Sequence, residues 1–225
     1  MPARSHPSPA AVLFDMDGTL VDTEHLWWQC AAELATELGL TLTERDLPEV
    51  LGRAVEHTAA HLHRASGTDR AEQELVQLLD ESFTGKVAAQ VTPRPGALDL
   101  LAALRAAEVP TALVSASPRR VVDLVLDSLG RQWFTVTLAA EDTERTKPDP
   151  APYLAAAERL GLDPAVCVAV EDTPTGVASA HAAGCAVLAV PSTVPIPAAD
   201  RVTLLESLTE ADLALLGRLA APRPA

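Results

Sequence analysis

The sequence predicts an α/β fold: a parallel sheet covered on both faces, interrupted after its first strand by a block of helices. Three observations carry this. The apolar run Ala10-Ala11-Val12-Leu13-Phe14 stands alone near the start and reads as a buried strand. Residues 24–91 show helical spacing and offer no strand of their own. From Pro93 onward, short apolar runs alternate with amphipathic helical segments. Repeated βα units of this kind pack as a parallel sheet with right-handed crossovers, so the helical block reads as an insertion.

The elements follow in order. In 24–38, Trp27, Ala31, Leu34 and Leu38 recur at helical spacing, and Gly39 suits the C-terminal cap. Residues 43–51 read as a short helix, with Pro48 in its first turn or breaking it. Helices over 55–64 and 70–83 are separated by Ser66-Gly67-Thr68. An amphipathic helix over 96–107 precedes a strand over 110–115 and a helix over 118–129 ended by Gly130. A short strand over 136–138, a helix over 150–160 and a buried strand over 166–170 come next. A helix over 174–183, closed by Gly184, leads to a strand over 186–190. The expected domains are a core of 10–23 with 92–219 and a helical cap of 24–91. The Pro- and Ser-rich tail 1–9 and the end 220–225 read as disordered.

Composition narrows the function classes. A chain of 225 residues can bury a real core, as one large domain or two unequal ones. Its net charge of −14 argues against nucleic acid and anionic membranes, which need a basic face. Lysine stands only at Lys86 and Lys147 against fifteen arginines, so an ammonium kept in Arg145-Thr146-Lys147-Pro148-Asp149-Pro150 is either needed there or a chance survivor. The cysteines Cys30, Cys167 and Cys185 are odd in number and show no C-x-x-C spacing. They read as small buried apolar residues in a reducing compartment, the cytoplasm, and not as a disulfide framework or zinc site. The first apolar run is short and ends in Asp15, which suits neither a signal peptide nor a membrane span. His57 and His61 lie four apart and could pair on a metal, but no third ligand is evident and a solvated helical face is the better reading.

Four polar signals sit where strands end or helices begin. The first is Asp15-Met16-Asp17-Gly18, directly after the first strand. Side chains two apart on an extended chain project to the same side. Two carboxylates that close resist joint ionisation unless a cation or proton lies between them. Asp17-Gly18 is also a turn signal, and on this segment alone it need be no more. The others are Ser115 after the second strand, Lys147 before a helix, and Glu171-Asp172 after a later strand. A parallel sheet puts all its strand carboxyl ends along one edge, so these residues converge. Singly, each has a plain alternative. Ser115 or Ser117 could cap the helix at Pro118, Lys147 could be a surface cation, and Asp172 or Thr173 could cap the helix at Pro174.

Taken together, the segments Asp15-x-Asp17-Gly18-Thr19-Leu20-Val21-Asp22-Thr23-Glu24, Val114-Ser115-Ala116-Ser117-Pro118-Arg119, Lys147-Pro148-Asp149-Pro150 with Tyr153-Leu154, and Glu171-Asp172-Thr173-Pro174-Thr175-Gly176 make the chain resemble the haloacid-dehalogenase-like hydrolase superfamily. The closer resemblance is to its helical-cap phosphatase and β-phosphoglucomutase-like branch. Thr173 stands where that family usually has serine and keeps the hydroxyl. The resemblance implies a Rossmann-like core with a helical cap inserted after the first strand. It implies Asp15 as nucleophile, forming an aspartyl phosphate, and Asp17 as general acid and then base. Ser115 and Lys147 would hold the transferring phosphoryl group, with Ala116, Arg53 and Thr23 as further phosphate or substrate contacts. Mg²⁺ would be held by Asp15, Asp172 and the backbone carbonyl of Asp17, with Glu171 acting nearby through water. Phosphomutases of the branch tend to carry a cap histidine at the position of Trp27 and a cap lysine, for which Lys86 is the sole candidate; Trp27 therefore favours hydrolysis.

The residue chemistry agrees. Four carboxylates face one lysine, and an oxygen-rich site of this kind suits Mg²⁺. A cation lets a carboxylate approach a phosphate dianion, and a covalent intermediate splits one hard displacement into two easier ones. Asp17 must be protonated for the first step, so its pKa is expected to be raised by burial and neighbouring carboxylates. The helical block is placed to act as a lid that excludes bulk water and chooses the substrate. The expected function is a Mg²⁺-dependent phosphatase acting, as a cytoplasmic monomer, on a small phosphorylated metabolite such as a sugar or polyol phosphate. A sugar phosphomutase is the nearest rival. Dehalogenation, a phospho-accepting signalling module and a non-catalytic binding protein fit the residues less well.

Overall fold

Ala11-Val12-Leu13-Phe14 is fully buried on both faces and forms β1 (Ala11–Phe14), as the near-continuous apolar strand of a parallel sheet should. The structure, a computed structural model, describes residues 8–221; the expected loose tails 1–9 and 220–225 fall mostly outside them. The chain divides into two compact units, one of Met1–Val21 with Pro93–Ala225 and the other of Asp22–Thr92.

The first unit holds the sheet. Along the chain come α5 (Ala97–Ala106), β2 (Thr111–Val114), α6 (Arg119–Leu129), β3 (Val136–Leu138), α7 (Ala151–Leu160), β4 (Cys167–Glu171), α8 (Pro174–Ala182), β5 (Ala186–Ala189), β6 (Val202–Leu204) and α9 (Leu213–Ala220). All six strands run parallel in the order β3-β2-β1-β4-β5-β6. The chain builds outward from β1 in one direction and then restarts beyond it in the other, so β1 and β4 flank the point where strand order reverses. Open α/β sheets bind ligands in the crevice at that point, outside the strand carboxyl ends. One face of the sheet buries Leu13, Val114, Leu138, Ala169, Val187 and the ring of Tyr153 in a common apolar cluster. Each fully buried aliphatic side chain there contributes about 1.5–3 kcal/mol against exposure.

The second unit is helical: α1 (Glu24–Glu37), α2 (Leu47–Val50), α3 (Val55–Ser66) and α4 (Glu72–Ala89). Cys30, Leu34, Val50, Leu62, Leu75 and Leu79 form its core. Pro48 lies in the first turn of α2, where its missing N–H costs nothing, after a 3₁₀ turn over Glu44–Asp46. The sequence predicts an end near 83 for α4, yet the helix runs on to Ala89 through Gly85. Leu75, Leu79 and Val87 are buried on one face, and their packing outweighs the roughly 1 kcal/mol that an interior glycine costs.

Two elements beyond Val190 have no clear sequence signal. β6 is three residues long and partly exposed at the sheet edge, where alternation has little room to show. α9 is eight residues, opened by Asp212, whose side chain accepts a hydrogen bond from the Leu215 amide.

Candidate active site

Strand register builds the site. Phe14 pairs with Leu113 on one side and Val170 on the other, so Asp15 and Glu171 leave the sheet side by side. The Asp15 amide donates to the Val170 carbonyl at 2.9 Å and holds that register one residue beyond β1. Ser115 follows β2, and its amide donates to Leu138 of β3 at 3.0 Å. Lys147 lies shortly before α7, and Asp172 directly follows β4.

Lys147 is no surface cation. Its side chain is 6% exposed, and Nζ lies 2.6 Å from both Asp15 Oδ1 and Glu171 Oε1. Burial opposes the ammonium, but the two carboxylates outweigh it and its pKa lies above that of an ordinary lysine. Glu171 is completely buried. Its Oε1 also accepts from the Tyr153 hydroxyl at 2.6 Å, and its Oε2 from the Asp172 amide at 3.2 Å. Burial raises the Glu171 carboxyl, Lys147 pulls it back, and the net direction is upward. Gly176 packs against this carboxylate so closely that a Cβ there would overlap it.

Asp172 is 1% exposed. Thr19 donates to its Oδ1 at 3.3 Å and Ser192 donates to its Oδ2. Burial, then the charges of Asp15 and Glu171, push its carboxyl well above the usual range. Gly18 closes the turn after Asp17 at φ +81°, and a Cβ there would overlap the Asp172 carboxylate. Asp17 is engaged differently: its Oδ2 accepts from Ser115 Oγ at 3.1 Å and Ser117 Oγ at 2.8 Å. The Ser117 amide donates to Ser115 Oγ at 2.9 Å, so Ser115 is not the cap of α6. Thr173, by contrast, does cap α8, accepting from the Gly176 amide at 3.1 Å.

The donor set suits a cation. Asp15, Glu171 and Asp172, all buried, can bring one carboxylate oxygen each within 4.8 Å of one another. Asp15 Oδ2 is the one buried side-chain oxygen or nitrogen among the described residues without a hydrogen-bond partner. Such an atom requires an explanation, and a hard, oxygen-preferring metal ion supplies one. His57 and His61 form no second metal group: each meets its own carboxylate, Glu49 at 2.7 Å and Asp46 at 3.0 Å.

The remaining sequence candidates sit as follows. Ala116 is exposed in the loop between Ser115 and Ser117. Thr23 is buried at the start of α1. Arg53 is exposed in the turn between α2 and α3, its Nε donating to the Pro48 carbonyl at 2.9 Å. Trp27 is engaged within the helical unit, donating from Nε1 to the Val50 carbonyl at 2.9 Å and meeting Phe83 edge-on. Three contacts were not assigned from sequence. Ser117 could be found from its place beside Ser115, and Ser192 from its place shortly after β5. Tyr153 stands in the segment Tyr153-Leu154 that carries the family resemblance, but nothing in the sequence assigned it a partner.

Comparison with known proteins finds similarity along most of the chain. A family model described as a haloacid dehalogenase-like hydrolase matches residues 9–184. Hexitol phosphatase B of Escherichia coli (strain K12) is 31% identical over 185 residues, spanning 81% of this chain and 83% of that protein. Validoxylamine A 7'-phosphate phosphatase of Streptomyces hygroscopicus subsp. limoneus is 32% identical over 201 residues, spanning 88% and 93%. The crystal structure of a HAD family hydrolase from Deinococcus radiodurans R1, with bound phosphate and sodium, superposes with a TM-score of 0.76 at 30% identity, over 97% of this chain and all of that one.

Proposed function

The chain belongs to the haloacid dehalogenase-like hydrolase family, and we propose that within it the protein is a Mg²⁺-dependent phosphatase of a small phosphorylated sugar or polyol. The observation that carries this reading is Asp15 itself. Lys147 holds its Oδ1, while Oδ2 is buried and unpartnered at the carboxyl edge of the central strand. A carboxylate fixed through one oxygen and bare at the other is prepared to attack phosphorus or to bind a cation. The phosphatases of hexitol and validoxylamine phosphates among its relatives support the substrate class.

Asp15, Asp172 and the backbone carbonyl of Asp17 are the groups that would hold Mg²⁺, with Glu171 beside them. When bound, the ion supplies positive charge that offsets the crowded carboxylates and the phosphate dianion. Asp15 attacks phosphorus and becomes an aspartyl phosphate as the alcohol leaves. Asp17 gives its proton to that alcohol, then takes one from the water that hydrolyses the intermediate. Lys147 and Ser115 bind the equatorial oxygens as their charge spreads. In the resting arrangement Ser115 donates to Asp17, so binding phosphate requires its hydroxyl to turn. The Asp22–Thr92 unit is assigned the role of cap, with Arg53 and Thr23 as its substrate contacts.

The test is phosphate release from a panel of sugar and polyol phosphomonoesters, with Mg²⁺ and with chelator, for the native protein and Asp15→Asn. Release that requires the metal and falls by about 10³-fold or more in the variant is expected. Metal-independent release, or activity that survives the substitution, overturns the mechanism. Isomerisation of a sugar phosphate with little free phosphate would instead identify a mutase.

A further inference from the structure

We propose that Tyr153 is a positioning residue that, through Glu171, fixes the Lys147 ammonium against Asp15. The proposal deepens the phosphatase reading and rests on it for its kinetic part. Tyr153 is the one tyrosine of the chain and is completely buried in α7. As an apolar filler alone, a phenylalanine would serve the same core. A buried hydroxyl is costly unless it is hydrogen-bonded, so its placement needs a partner. That partner is Glu171 Oε1, at 2.6 Å.

The same oxygen accepts from Lys147 Nζ at 2.6 Å, so phenol and ammonium share one acceptor. The ammonium also lies 5.1 Å from the Tyr153 ring centroid, within range of attraction by its face. Tyr153 therefore meets Lys147 twice, through its ring and through the carboxylate its hydroxyl orients. Lysine is a flexible, rotamer-rich stem, and a catalytic cation on such a stem must be held by its surroundings. Asp15 holds it from the reacting side. Glu171 holds it from behind, and Tyr153, the Asp172 amide and the close face of Gly176 settle how Glu171 is turned.

Tyr153→Phe removes the hydroxyl and keeps the ring and the core volume. Lys147 and Lys86 are the only lysines, so the ammonium NMR spectrum of a ¹⁵N-labelled sample holds two side-chain signals that a single Lys86→Arg sample assigns. In the native protein the Lys147 ammonium should exchange with solvent far more slowly than that of Lys86. In folded Tyr153→Phe its exchange should rise about tenfold or more, and kcat should fall about tenfold with KM little changed. A filler role would lower the melting temperature and leave the ammonium exchange and the kcat of the folded protein unmoved; that result overturns the proposal. Loosened ammonium exchange with unchanged kcat in an active enzyme also overturns it. Should Tyr153→Phe not fold, the native protein decides: a single protected phenolic proton correlated with the Lys147 ammonium supports the proposal, and its absence overturns it. A native protein that releases no phosphate from any ester sinks the phosphatase reading, while the NMR arm still tests the Tyr153–Glu171–Lys147 chain.

Discussion

Lys147 Nζ lies 2.6 Å from Asp15 Oδ1 although 132 residues separate them in sequence. Parallel strand order brings them together, and burial makes the contact count: the two side chains are only 6% and 9% exposed. A preorganised cation in a water-poor site is worth far more than the same pair in solvent.

Replacement of that lysine by arginine is therefore not conservative. The pocket holds a compact ammonium between two carboxylates at 2.6 Å each, and a planar fork is larger and aims its donors differently. Lys147→Arg is expected to lose about 10²–10³-fold in kcat, by analogy with removal of one preorganised donor. Steady-state phosphate release checks this, and activity within a few-fold of native would contradict the assigned role.

Metal should stabilise the fold measurably. Asp172, held by Thr19 and Ser192, has its carboxyl pushed up first by burial and then by Asp15 and Glu171, and a cation relieves the last two effects. At Mg²⁺ a hundredfold above its dissociation constant, the gain is about 2.7 kcal/mol. For a chain of this size that is roughly 5–10 °C in melting temperature. Thermal melts with Mg²⁺ and with chelator should show the rise for the native protein and not for Asp172→Asn.

Two glycines should respond in opposite directions to alanine. At Gly176 a Cβ would overlap the Glu171 carboxylate, which is fully buried and held by Lys147, Tyr153 and the Asp172 amide, so Gly176→Ala should destabilise by about 1–3 kcal/mol and reduce activity. At Gly85, inside α4, a Cβ would meet nothing within 4 Å, so Gly85→Ala should stabilise by about 0.5–1 kcal/mol. Urea denaturation of the two variants against native measures both signs.

Acid should weaken the helical unit partly through Asp46. Its carboxyl is held below the usual range, first by the Thr43 amide at 2.8 Å and also by His61 at 3.0 Å. Because the folded value is depressed, the stabilisation is complete above the unfolded value of about 3.9 and is lost as pH falls through the lower folded value. Asp46→Asn should therefore lose less stability than native between about pH 6 and about pH 2.5. Urea midpoints read from the fluorescence of Trp27 and Trp28 in that unit, in a Trp133→Phe background, test this; equal losses would contradict it.

The alternation of helices and strands, the parallel sheet and the helical insertion were legible in the sequence because local periodicity encodes them. Local pattern fell short where tertiary burial overrode a weak local preference, as at Gly85 in α4, where an edge strand was too short to alternate, as in β6, and at the short helix α9. Asp15, Asp17, Ser115, Lys147, Glu171 and Asp172 were legible as polar residues at strand ends and helix starts. Which side chain faces which was not. Ser117 donates to Asp17, Ser192 to Asp172, and Tyr153 and Lys147 share one oxygen of Glu171. Local sequence specifies a strand and the residue after it. The partner across the crevice is set by strand order and register, which depend on how the whole apolar core closes. The sequence by itself thus determined the fold class and the chemistry available at one sheet edge. The tertiary structure alone decided that Lys147 is held between Asp15 and a Glu171 that Tyr153 orients.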